Sequence, residues 1–479
     1  MTLKHDPSML LAALRAALGE DCVRAPLADD APELRDYRRR YQGRALALLL
    51  PRDTAQVSTL LRFCFERRIG VVPQGGNTSY NGGATPDGSG TQVLVSLRRM
   101  NRIRAVDAAN FSLTAEAGCT LQAVQDAAEA AQRFFPLSLG SQQSCQIGGN
   151  LATNAGGLNV LRFGMMRELT LGIEAVLPDG SVLDGLTGLR KDNTGYDLKS
   201  LLIGSEGTLG IITAATLKLW PAQRSSATAL LAIETPAAAI RLLSVLREHV
   251  GERLTSFELM PHDAVELVRT QVPEVRMPFT PTPPCLVLCE LTSAAIEPLD
   301  ELLQAALLAP NAQADILDAV LARSEAERMA LWQMRESIPE AQRRHGPSFK
   351  HDVSVPLDAI PSFMQRVSDW VLQSAPESVL ICYGHAGDGN LHCNLSARPG
   401  ADMATFKARE SAVQSFIHDL VMQFRGSISA EHGIGQSKLI ELQRRASPVK
   451  LALMAQLKAA IDPRGIMNPG KLLPDLSGQ

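Results

Sequence analysis

The stretch Pro73-Gln74-Gly75-Gly76-Asn77-Thr78-Ser79 follows the apolar pair Val71-Val72, so a short strand runs straight into a glycine loop. Glycine lets a backbone approach a ligand closely, and consecutive bare N–H groups form a nest for an anion such as a pyrophosphate. Two more segments repeat the theme. One runs from Gly140-Ser141 through Ile147-Gly148-Gly149-Asn150 to Asn154-Ala155-Gly156-Gly157, and the other is Gly204-Ser205-Glu206-Gly207-Thr208-Leu209-Gly210. A single loop of this kind reads as well as a structural turn. Three in one region, interleaved with Asn, Thr and Ser donors, point to a large polar cofactor. None fits G-x-x-x-x-G-K-[ST], and none places G-x-G-x-x-G directly after a strand, so both common nucleotide fingerprints fail.

Around these loops the periodicity is mixed. Thr54 can cap a helix whose apolar positions Val57, Leu60, Leu61, Cys64 and Phe65 recur at helical spacing. Strands are expected at Val93 to Leu97 and Phe111 to Ala117, and a helix over Leu121 to Gln132. Leu169 to Leu177 and Val182-Leu183 read as a hairpin across Pro178-Asp179-Gly180. A strand from Ile211 to Leu219 closes the region at Trp220-Pro221. The order is α+β rather than a regular βαβ alternation. After Pro221 glycine thins out and Ala- and Leu-rich helices enter, Thr235 to His249 and Pro298 to Leu308. Strands accompany them at Cys285 to Leu291, Val379 to Tyr383 and Leu391 to Leu395. The expected organisation is a helical segment (1–44), a cofactor domain (45–222), a second α+β domain (223–425) and a C-terminal segment (426–479) with one helix from Val449 to Ile461.

Composition narrows the function classes. The chain of 479 residues is 45% apolar and 20% charged, the balance of a soluble globular protein. Its 47 basic and 50 acidic residues nearly cancel, which argues against a nucleic-acid partner. No apolar run is long enough for a transmembrane segment. Met9 to Leu18 reads as an amphipathic surface helix rather than a signal, because Arg15 interrupts it and Glu20 and Asp21 follow. The basic stretch Arg35 to Arg44 reads as a solvated face rather than a docking site. Eight cysteines, none spaced C-x-x-C, suit reduced interior side chains and a cytoplasmic protein, with peripheral membrane attachment left open.

A second constellation lies at Gly384-His385-Ala386-Gly387-Asp388-Gly389-Asn390-Leu391-His392-Cys393-Asn394. A strand ends near His385, and another begins at Leu391 after a tight loop. Period-two alternation puts His392 and Asn394 on one face and Cys393 on the other, so His385 can face His392. Ser429-Ala430-Glu431-His432-Gly433-Ile434-Gly435 follows downstream. Two imidazoles and one carboxylate make a common catalytic zinc set with open coordination positions. Spacing alone leaves structural histidines as the alternative.

Together these motifs resemble the FAD-binding domain of the vanillyl-alcohol-oxidase-type flavoproteins. The histidine motif narrows the resemblance to the FAD-linked D-2-hydroxyacid dehydrogenases, of D-2-hydroxyglutarate dehydrogenase and D-lactate dehydrogenase type, over roughly residues 45–475. The resemblance implies noncovalent FAD, because Asn77 and Thr78 stand where some superfamily members carry a flavin-linked histidine. It implies cofactor contacts from Gly75, Gly76, Asn77, Thr78, Ser144, Gly149, Thr153, Gly207 and Ile212, with Asn468 of Asn468-Pro469-Gly470-Lys471 returning to the flavin. It implies a divalent metal, zinc being the expected ion, on His385, His392 and Glu431, with His432 as the base. Arg335, Lys350 and Asn394 match the residues that hold the substrate's acid groups. Pro339 stands four positions after Arg335, where members can carry a hydroxyl residue, so the distal specificity stays open.

The implied reaction is metal-assisted oxidation of a D-2-hydroxy acid to the 2-oxo acid. Hydride goes to flavin N5, and the hydroxyl proton goes to an imidazole that titrates near working pH. D-2-hydroxyglutarate, D-lactate and D-malate remain candidate substrates. The resemblance implies an electron-transfer flavoprotein or quinone as acceptor, and a homodimer is left open. Competing readings are an oxidase using oxygen, a flavin-free metallohydrolase and an electron-carrying flavin subunit.

Overall fold

The apolar stripe that starts at Val57 forms the helix Thr54–Arg67. Its cap is Asp53 and not Thr54. The Asp53 carboxylate accepts the Gln56 N–H at 2.8 Å, while the Thr54 hydroxyl donates to Glu174 at 2.6 Å. An ionised oxygen is the stronger acceptor for an unpaired N-terminal amide. The helix links strands Ala47–Leu49 and Val71–Gln74, both parallel to Val93–Ser96. The antiparallel edge strand Val23–Arg24 completes this four-stranded sheet. The remaining named strand pairs are antiparallel.

The computed structural model describes residues 6–474. The chain divides into two units. The first comprises Met1–Gly157, Gly164–Ala222 and Glu431–Gln479, and the second comprises Leu158–Phe163 and Gln223–Ala430. Both mix helices and sheets, so the α+β class stands.

In the first unit a five-stranded sheet has the spatial order Ile103–Asp107, Ser112–Glu116, Ile211–Lys218, Thr170–Val176 and Val182–Gly185. The last two strands are the hairpin read around Pro178-Asp179-Gly180. The helix Pro7–Leu18, capped by Asp6, turns Leu14 and Leu18 into the core. There they meet Val57, Leu60 and Leu61, and the C-terminal residues Ile466 and Met467 join them.

The second unit is built on an eight-stranded sheet. Its main path runs Ile316–Leu321, Ser225–Ile233, Cys285–Ser293, Leu254–Pro261, Ser378–His385, Asn390–Ala397 and Ser348–Phe349, and Asp352–Ser354 also pairs with Asn390–Ala397. Alternation sorts its side chains. Val287, Cys289, Cys382 and Cys393 face one apolar layer, and Leu286, Leu288, Ile381 and Tyr383 face the other. Helix Pro236–Val250 covers the first layer. Helices His262–Gln271, Glu325–Glu336 and Ile338–His345 cover the second. All eight cysteines are buried and unpaired. Among the described residues no helix is long and apolar enough to cross a membrane.

Candidate active site

In the first unit the three glycine loops converge. A Cβ on Gly76 would lie 2.0 Å from the Ser144 carbonyl oxygen, and one on Gly75 would lie 3.2 Å from the Gly149 Cα. Only bare backbone lets the first loop seat on the second. Gly207, in the third loop, packs against Pro73. Asn468 returns from the C-terminal segment and donates to the carbonyls of Gly83 at 2.9 Å and Glu206 at 2.7 Å.

Several side chains expected at the cofactor hold loop backbone here. Asn77 donates to the carbonyls of Arg35 and Pro32, Thr153 to that of Gly149, and Ser144 to that of Ser141. Ile212 is buried in the strand Ile211–Lys218. Thr78 is half-buried at the end of the first loop. Asn468 Oδ1, Gln146 Oε1 and Thr85 Oγ1 are buried with no hydrogen-bond partner among the described residues. Backbone that tolerates no Cβ, beside unsatisfied interior polar atoms, fits a polar cofactor such as FAD.

The first unit also holds His432. The half-buried Glu206 carboxylate accepts the N–H groups of Ile434 at 2.8 Å and Gly435 at 2.7 Å, which fixes the turn that follows the imidazole. Burial pushes the Glu206 carboxyl up, against these two donors. Asn81 donates to the His432 carbonyl at 2.9 Å. Tyr80 meets the His432 ring edge-on, with centroids 4.8 Å apart. Burial raises the Tyr80 phenol, so it keeps its proton.

In the second unit the strands Ser378–His385 and Asn390–Ala397 pair Tyr383 with His392 and His385 with Asn390. That register puts both imidazoles on one face, with ring centroids 5.4 Å apart and coordinating nitrogens within 4.8 Å of each other. Glu258, on the neighbouring strand, is 1% exposed. It accepts His385 Nδ1 on one oxygen and Arg335 Nε on the other, each at 2.7 Å. Burial opposes its charge, but His385 and Arg335 outweigh burial and hold the carboxyl at about 2. A carboxylate on Nδ1 fixes the tautomer that makes Nε2 the acceptor, the arrangement in which histidines bind metals. The pair therefore fits a divalent cation. Glu431, the third expected ligand, opens the last segment of the first unit directly after Ala430.

Arg335 is no surface charge. It is buried, and its guanidinium lies over the Tyr383 ring at 4.8 Å. Lys350 and Asn394 meet at one amide: both donate to Gln342 Oε1, Asn394 at 3.1 Å. Asn394 Oδ1 accepts the His351 N–H at 3.1 Å. Burial pushes Asp388, in the loop between the two strands, up to about 6 in spite of His385.

Sequence reading missed Glu258, Gln342, Glu206, Tyr80 and Asn81. Glu258 did carry a signal, an acid amid the apolar strand residues Phe257, Leu259 and Met260. Gln342 and Asn81 carried none.

The fold and its convergent loops define a vanillyl-alcohol-oxidase-type flavoprotein. Residues 45–185 match the FAD binding domain family, and residues 222–472 match the family described as FAD linked oxidases, C-terminal domain. The chain is 38% identical over 439 residues to D-2-hydroxyglutarate dehydrogenase, mitochondrial, of Arabidopsis thaliana, covering 92% of this chain and 77% of that one. It is 39% identical over 469 residues to the protein of the same name from Bos taurus, covering 97% and 83%. A solved structure of p-cresol methylhydroxylase shares the fold at a TM-score of 0.77 and 16% identity, with 98% of each chain covered. The chain belongs to the FAD-linked oxidase family, among the FAD-dependent hydroxyacid dehydrogenases. Membership sets aside the flavin-free metallohydrolase.

One expectation is overturned. The Arabidopsis and bovine relatives are named mitochondrial, which conflicts with a cytoplasmic protein. Sparse, buried cysteines suit any reducing compartment, so they do not single out the cytoplasm.

Proposed function

We propose that this protein oxidises a D-2-hydroxy acid of the D-2-hydroxyglutarate type to its 2-oxo acid with the help of a divalent metal. The observation that carries the metal is the buried His385–Glu258–Arg335 chain beside His392. FAD, when bound, accepts the hydride from C2, and a divalent cation, when bound, supplies a Lewis acid for the hydroxyl oxygen. His385, His392 and Glu431 would hold that cation, with zinc the ion such a donor set favours. Gly75, Gly76, Asn77, Thr78, Ser144, Gly149, Thr153, Gly207, Ile212 and Asn468 line or brace the loops that would hold FAD.

The remaining steps belong to the chain's own residues. His432 takes the hydroxyl proton at an imidazole nitrogen, with Glu206 and Asn81 fixing its backbone and Tyr80 its ring. Lys350 and Arg335 supply positive charge for substrate carboxylates. Asn394 shares Gln342 with Lys350, so the two are oriented as one unit. The electron acceptor in this reading is an electron-transfer flavoprotein or a quinone.

The test is anaerobic bleaching of the purified flavoprotein by D- and L-2-hydroxy acids. Bleaching by D-2-hydroxyglutarate and not by its enantiomer is expected, with the rate in His432→Ala down by about 100-fold or more. Bleaching by L-acids alone, or a His432→Ala enzyme as fast as the parent, contradicts the reading.

A further inference from the structure

The second unit holds a buried carboxylate that the reaction above does not use. Glu290, in the strand Cys285–Ser293, is 8% exposed, in a layer with Leu230, Met260, Leu286 and Leu288. An acid is costly to bury unless donors meet its charge. Here one oxygen, Oε2, accepts three: the Thr228 hydroxyl at 2.7 Å, the Trp332 indole N–H at 2.7 Å and the Arg328 guanidinium at 3.1 Å. Thr228 stands opposite Glu290 on the neighbouring strand. The other two donors come from the helix Glu325–Glu336.

That helix also carries Arg335. Arg328, Trp332 and Arg335 fall at i, i+4 and i+7, one stripe of its surface. Glu258 stands opposite Leu288 across the adjacent strand pair, and alternation puts Leu288 and Glu290 on one face. Both acids therefore face the layer that this helix covers. The stripe meets them in order, Arg328 and Trp332 on Glu290, then Arg335 on Glu258 at 2.7 Å. A helix fixed at one point can slide or roll, and a second fixed point about a turn away stops both. Glu325 clamps Arg328 at 2.8 Å and 2.7 Å, which braces the first turn as well.

The placement of Arg335 is exacting. It is buried, lies over the Tyr383 ring and shares Glu258 with His385. A shift of about 1 Å in a positioned group can cost about 100-fold. Every residue of this chain of contacts belongs to the second unit.

We infer that Glu290 is a positioning residue, which holds the helix Glu325–Glu336 in the register that presents Arg335 to a substrate carboxylate. It acts through Trp332 and the helix backbone, not on the reacting atoms. This rests on the dehydrogenase reading, which gives Arg335 that carboxylate. The test measures KM and kcat for D-2-hydroxyglutarate in the full-length holoenzyme, with flavin content and Tm checking the fold. Glu290→Gln weakens the acceptor, and Trp332→Phe keeps the ring but removes its donor. Each should raise KM by about 10-fold and leave kcat within about 2-fold, the signature of lost binding rather than lost chemistry. Leu243→Ala, in the helix over the opposite layer, controls for destabilisation alone: it should lower Tm and leave KM unchanged. Should Glu290→Gln fail to fold, Trp332→Phe decides. An unchanged KM in the folded variants, or an equal rise in Leu243→Ala, overturns the inference and leaves the dehydrogenase reading intact. A parent enzyme inert to 2-hydroxy acids overturns that reading and the inference with it.

Discussion

Glu258 joins a histidine 127 residues away to an arginine 77 residues away, on two separate oxygens. Neither distance is visible in a linear pattern, so the carboxylate that orients His385 could not be read from the sequence. The histidines themselves could, because alternation across a tight glycine loop assigns His392 its face of the sheet. Glu258→Gln keeps the shape and weakens the acceptor for both partners. Its metal affinity should fall by about 10- to 100-fold, measured by competition with a chromophoric chelator. An affinity equal to the parent's would remove Glu258 from the metal's support.

Among the elements, period and punctuation were legible where a strand or helix faces one apolar layer. The expected hairpin corresponds to Thr170–Val176 and Val182–Gly185, and the last helix to Pro448–Ile461. Caps were less legible: Asp53 and Thr54 are both capping residues, and a tertiary contact to Glu174 decides between them. Strand Ser112–Glu116 ends in a carboxylate that is fully buried and accepts from Arg102 N at 2.9 Å, Arg102 Nη2 at 2.8 Å and Arg104 Nε at 3.3 Å. Burial raises the Glu116 carboxyl, but the arginine donors win and hold it below its ordinary value of 4.5. A depressed carboxyl means the unfolded chain binds more protons, so this stabilisation is complete above the ordinary carboxyl pKa and fades as pH falls below it. Glu116→Gln should cost about 1–3 kcal/mol at pH 7 and flatten the acid side of the stability curve. Chemical denaturation at pH 7 and pH 4 checks this, and identical pH slopes for variant and parent would refute it.

For the whole molecule, the hardest feature to read was the discontinuity of its units. Leu158–Phe163 belongs with the second unit, and Glu431–Gln479 returns to the first. Such assignments rest on contacts between distant segments, which local periodicity does not encode. Lys458 shows how the return is fastened. It is the one buried residue of its helix, and its ammonium donates to Thr208 O at 2.8 Å, Asp462 Oδ2 at 2.6 Å and Met467 O at 2.7 Å. Lys458→Ala leaves Asp462 buried without its cation and should cost about 3–5 kcal/mol, read as a lower Tm with faster flavin loss. A Tm equal to the parent's would show that the C-terminal segment is held by other contacts.

The most direct test of the central claim is the rate of anaerobic flavin reduction by D-2-hydroxyglutarate in three samples: enzyme as purified, enzyme stripped with a chelator, and stripped enzyme given back zinc. Stripping should slow reduction by about 100-fold or more without releasing FAD, and zinc should restore it. Full speed in enzyme proven free of metal would contradict the role assigned to His385, His392 and Glu431.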